Sequence, residues 1–138
     1  MATYVKYQKG VEALLEAINA GSDTWKVALS NTAPDVATDA ALADAAEISA
    51  GNGYTAGGNA ASISSSTQSG GTYKLVLNSP STWTATGGAI GPLRYAILYD
   101  STTDNLVGYW DYGSSITLNA GDTFTVNLDG TNGVFTVA

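Results

Sequence analysis

From Thr24 onward the chain returns again and again to an apolar/polar alternation with a period of two, and Gly, Asn or Asp interrupts each run. That pattern admits short strands joined by turns and little else. In TWKVALSN (24–31), Trp25, Val27 and Leu29 alternate with Lys26, Ala28 and Ser30, which predicts a half-buried strand. In TYKLVLN (72–78), Tyr73, Leu75 and Leu77 form the apolar set. RYAILYD and NLVGYWDY, parted by Ser101-Thr-Thr-Asp104, predict a hairpin, and TFTVNLD and GVFTVA predict a second pair around Gly130–Gly133. The fold class that follows is mainly β, an antiparallel β-sandwich in one domain over residues 1–138.

One segment has a different period. Val11, Leu14, Leu15 and Ile18 recur at helical spacing, which predicts a short peripheral N-terminal helix over 9–20 with Gly21 beyond its end. Its apolar face is expected to cover an open side of a sheet. Residues 1–8 precede it as a candidate N-terminal arm, or as the first strand of the chain's own sheet. Asp35–Glu47, rich in Ala with scattered acids, reads equally as a short helix or a crossing loop, and a weak strand is expected near Ala60–Ser66.

Composition removes whole classes of chemistry. The 138 residues include no His and no Cys. No Ser-His-Asp or Cys-His pair, disulfide or zinc–thiolate site can form. The five basic residues are outnumbered by twelve acidic ones, for a net charge of −7. Phosphate neutralisation needs Lys and Arg, so no nucleic-acid partner is expected. The opening MATYVKYQKG has no basic segment leading into an apolar run, and nowhere are there about 18 consecutive apolar residues, so neither a secretion signal nor a membrane span is expected.

In ISAGNGYTAGGNAA (48–61), Gly51, Gly53 and Ala56 match the spacing of a dinucleotide-binding turn. Such a turn needs a helix after it and an acid about 20 residues on. NAASISSSTQSGG follows instead, and the next acid after Glu47 is Asp100. The glycines are therefore read as permitting positive φ in a tight loop. Asp100, Asp104 and Asn105 in one turn, and Asp129 and Asn132 in another, are read as turn chemistry rather than calcium ligands. Asp111, in Tyr109-Trp-Asp-Tyr112, shares a strand face with Tyr109, a pairing that would suit sugar, while Trp110 and Tyr112 are assigned to the core. No catalytic residue, cofactor site or metal site is expected, and the chain is not read as an enzyme.

The phrases GSDTWKVALSNTAP, EISAGNGYTAGG, TYKLVLNSPSTWTATGGAIGPLRYAILYD and GYWDYGSSITLNAGDTFTVNLDGTNGVFTVA resemble small structural proteins of tailed bacteriophages, and among them the capsid cement, or decoration, proteins. The resemblance implies a β-sandwich, jelly-roll-like, assembled in the host bacterial cytoplasm and carried on the outer capsid surface of the virion. Its partner would be the major capsid protein of an HK97-like shell, with copies arranged as a homo-oligomer, a dimer or a trimer. The contact surface is expected at Thr3, Tyr4, Lys6, Tyr7 and Lys9, which pair aromatics with two of the few cations, with Trp83 and Tyr109 as further anchors. A carbohydrate-binding module of a tail fibre, using Tyr109, Asp111 and Trp83, is the alternative, and a tail-tube or neck component is a third.

Overall fold

The computed structural model describes residues 3–138. Strand β1 (Tyr4–Lys6) leads into helix α1 (Gln8–Glu16), followed by β2 (Trp25–Ser30), β3 (Asn59–Ala60), β4 (Ile63–Ser69) and β5 (Thr72–Leu77). Then come β6 (Trp83–Thr84), β7 (Ile90–Asp100), β8 (Asn105–Leu118), β9 (Thr123–Phe124) and β10 (Phe135–Val137). All pairings are antiparallel. The sheets run β1-β8-β7-β2-β3, β10-β5-β4 and β6-β9. The expected sandwich is present. A jelly roll is not established, because the strands divide five, three and two rather than into two sheets of four.

The expected β7–β8 hairpin forms, with Asp100 opposite Asn105. The expected TFTVNLD–GVFTVA pair does not. Thr123–Phe124 joins Trp83–Thr84, and Phe135–Val137 joins β5 in another sheet. Between them 125–129 has no ladder.

The main core lies between the five- and three-stranded sheets. Trp25, Val27 and Leu29 of β2 meet Leu75 and Leu77 of β5 there, and Trp25 packs on Phe135 with ring centroids 6.1 Å apart. The half-buried strand predicted for β2 is instead buried on both faces. Ala28 and Ser30 sit against a second cluster made by Tyr7, Ala45, Tyr95, Ile97, Tyr99 and Leu106. The cover on that side is the Asp35–Glu47 loop, which contains a single 3-10 turn, Leu42–Ala45. A polar residue, Ser30, is tolerated because its hydroxyl donates to the Ala45 and Ala46 carbonyls at 2.7 and 2.9 Å.

Helix α1 is shorter than expected and turned differently. It ends at Glu16, and Ala17 rather than Gly21 follows its last turn. Its buried residues are Gly10 and Ala13. A Cβ on Gly10 would overlap the Leu106 carbonyl oxygen, so the helix reaches β8 only because this residue has no side chain. Leu14 and Ile18 pack toward the main core, while Val11 and Leu15 are left in solvent at 41% and 75% exposure.

The glycine loop is a fastener, with Gly51, Gly53, Gly57 and Gly58 all at positive φ. Glu47 Oε2 accepts from the Tyr54 hydroxyl and the Gly57 N–H, both at 2.5 Å, and Tyr54 in turn accepts from Leu29 N–H at 3.0 Å. The Tyr99 hydroxyl donates to the Gly57 carbonyl at 2.7 Å. Burial, then the Glu47 carboxylate, pushes the Tyr54 hydroxyl pKa well above the usual phenol range, so it stays a donor.

Candidate functional site

The expected N-terminal arm is part of the chain's own sheet. Tyr4, Val5 and Lys6 pair with Trp110, Tyr109 and Gly108 of β8. Residues 1 and 2 of that segment lie outside the described residues. Tyr4 lies over Gly108 and against Trp110, centroids 5.0 Å apart, and burial raises its hydroxyl pKa far above normal. Tyr7 is fully buried, so it belongs to the core and not to a contact surface. Thr3, Lys6 and Lys9 are exposed. Trp83 is also a correction: it is 1% exposed and packs on Phe124 with centroids 6.3 Å apart. Tyr109 is half-buried, with edge-to-face contacts to Tyr7 at 5.8 Å and Tyr95 at 6.0 Å, so its ring faces are engaged within the protein.

Two surfaces emerge that the sequence pattern did not isolate. The first is apolar. Four large hydrophobic residues are exposed among the described residues, namely Val11, Leu15, Tyr112 and Val137. Val11 and Leu15 lie one helical turn apart on α1. Beside them a groove is lined by Tyr4, Val5, Leu14, Val107 and Phe135 with Lys6, and Val137 follows β10 out of it. The sequence signal was present in the Gly10/Ala13 pair, whose small size marks the side of closest approach.

The second surface is a cleft made by an irregularity in β8. Leu93 pairs with Ile116 and Tyr95 with Asp111, so the single residue Arg94 lies opposite Tyr112, Gly113, Ser114 and Ser115. The bulge carries these four residues out of the ladder, with Gly113 at φ 104°. Tyr112, assigned to the core by alternation, is 57% exposed and stands edge-on to Phe124, centroids 5.8 Å apart. It walls a cleft of about 250 Å³ whose lining includes Arg94, Trp110, Phe124, Val126 and Asn127. Gly-Ser-Ser inside an otherwise alternating run was the available signal, since glycine within a strand often marks a bulge.

Arg94 lies at the polar edge of this cleft and is held there by Asp111, which is outside the lining. Arg94 Nε and Nη2 donate to Asp111 Oδ1 and Oδ2 at 2.8 and 3.0 Å, and Gly113 N–H donates to Asp111 Oδ1 at 2.8 Å. It is the one ion pair among the described residues. The Arg94 guanidinium, then the Gly113 amide, holds the Asp111 carboxyl below the usual carboxylate range. Asp111 thus serves as a fixed acceptor.

Asp100 is the other unusual acid. It is buried, and its Oδ1 accepts Thr102 and Thr103 N–H at 2.9 and 3.3 Å, the turn role expected for it. Its Oδ2 has no partner with a fixed hydrogen, and the Asp23 carboxyl lies within bonding reach. Burial, then Asp23, raises its pKa from 3.8 to about 6. The folded protein therefore holds this proton more tightly than the unfolded chain. The contribution is complete below about pH 4 and is lost as pH rises through about 6. Asp100→Asn should raise stability at pH 7 by about 1 kcal/mol and flatten the pH 4–6 dependence of Tm, because the carboxamide keeps the turn bonds and donates to Asp23. Calorimetric melts across that range check this; an unchanged slope would show that Asp100 is not its source.

Among the described residues no group of three or more Asp or Glu is placed to hold a metal ion. Comparison with protein-family models, with curated proteins and with solved structures finds no match.

Proposed function

We propose that this chain is a capsid cement protein of a tailed bacteriophage. It binds the outside of an HK97-like shell and holds neighbouring major capsid protein subunits together. Two observations support the reading: the resemblance of its phrases to such proteins, and an exposed apolar face with Lys6 in its lining. The face is the carrying observation. Three of the four exposed large hydrophobics among the described residues lie on its two walls: Val11 lines the groove, Leu15 is one helical turn further along α1, and Val137 follows the lining residues Phe135 and Thr136 on β10, with Lys6 also in the lining. An apolar area on a protein with so many small polar surface residues marks a contact surface.

This face replaces the aromatic arm as the contact. Of the expected contact residues, Tyr4 and Lys6 line it, whereas Tyr7 is in the second core cluster and Lys9 faces the other side of the helix. A cement protein works by bridging. Copies that touch more than one subunit act at high effective concentration, so modest single contacts give strong retention. Binding only the assembled shell stabilises it by mass action. A homo-oligomer on the shell would multiply the number of bridged subunits.

Leu15→Glu tests the proposal. The side chain is already in solvent, so the variant should fold and melt as the parent does. A carboxylate pressed into an apolar interface should weaken binding by about 100-fold. Co-sedimentation with shells assembled from the major capsid protein of the same genome measures it. Parent-like occupancy by the folded variant would remove this face from the function, and absence of parent binding would remove the function itself.

A further inference from the structure

We propose that the cleft built by the β8 bulge binds a neutral saccharide. The inference stands apart from the shell contact, because the cleft uses a different set of side chains. Three aromatic residues, Trp110, Tyr112 and Phe124, line it, and Tyr112 is held upright by its edge-on contact with Phe124. Such rings offer the flat apolar surface on which the C–H face of a sugar packs.

The polar groups decide between a sugar and a purely apolar ligand. Arg94, Thr125 and Asn127 also line the cleft. Arg94 commits Nε and Nη2 to Asp111, which leaves its Nη1 amino group. The Arg94 guanidinium, the Thr125 hydroxyl and the Asn127 carboxamide together offer donors and acceptors to the hydroxyls of a sugar ring. A hydrocarbon ligand would strip water from Arg94, Thr125 and Asn127 without replacing those bonds, a penalty for each group.

Charge narrows the class further. The guanidinium is compensated by Asp111, so neither a carboxylate nor an ammonium on the ligand finds an unpaired opposite charge. The net charge of −7 opposes acidic sugars in addition. The ligand is therefore neutral. Its size follows from the volume. The cleft's 250 Å³ is below the about 300–1,000 Å³ that encloses a drug-sized molecule, so it takes one ring of a longer chain whose remainder lies in solvent.

The experiment is an array of immobilised neutral and sialylated oligosaccharides, followed by titration of the neutral oligosaccharide bound best. Trp110 fluorescence provides the signal, because Trp110 lines the cleft whereas Trp25 and Trp83 are fully buried and do not. Binding to a neutral glycan is expected, weakened about tenfold by Tyr112→Ala and retained by Tyr112→Phe, which keeps the ring. Leu15→Glu should bind the glycan as the parent does, so failure of the shell contact and failure of this site are separable. No neutral glycan bound, preference for sialylated glycans, or affinity unchanged in Tyr112→Ala would each overturn the assignment.

Discussion

Gly58→Ala should lower Tm by roughly 10 °C or more, the loss expected for about 4 kcal/mol in a domain of this length. Two costs combine. Gly58 sits at φ 76°, a region that costs a residue with a Cβ about 1 kcal/mol. The added carbon would also overlap the Val27 carbonyl oxygen and stand 2.7 Å from Ala28 Cα. Those are backbone atoms of β2, buried on both faces and paired on both edges, so they cannot move aside. Gly70→Ala is the control. It has positive φ as well, yet nothing lies within 4 Å of the place its methyl would take, so only the conformational cost applies. Equal melting temperatures for the two variants would show that close approach at Gly58 is not what holds the loop.

Trp83→Ala should destabilise the protein by about 4 kcal/mol, through lost burial and the cavity left behind. The indole is among the largest fully buried side chains, and it packs from the two-stranded β6-β9 sheet into the main core. Its Nε1 has no hydrogen-bond partner. Trp83→Phe should therefore cost far less, since it removes an unsatisfied donor while keeping a ring in the site. Urea melts of both variants measure the difference. A loss below about 1 kcal/mol for Trp83→Ala would show that the site collapses around the smaller side chain.

What can be read from the sequence is local. The alternation in RYAILYD and NLVGYWDY and the polar turn between them define β7 and β8, because both strands and their connection lie in one stretch. The same reasoning misassigns TFTVNLD and GVFTVA. Their patterns are those of strands, but their partners, Trp83–Thr84 and Thr72–Leu77, are distant in the chain, and no local signal names a distant partner. In α1 the helical spacing points the largest residues inward, yet the tight approach to the Leu106 carbonyl selects Gly10 and Ala13 there. The candidate site is least legible. Tyr112 follows the alternation of its strand, and only the bulge that begins beside it turns the ring toward solvent.

Both proposed surfaces are anchored on one strand. Leu106 and Val107 of β8 lie beneath the helix and the groove, and Tyr112 of the same strand walls the cleft. A pull between whatever is held at one surface and whatever is held at the other therefore travels along β8. Between Val107 and Tyr112 that load is carried by the covalent backbone of β8, so the hydrogen bonds joining it to β7 are not what it must break. Tension applied through these two attachments can therefore be borne without unfolding the sheet.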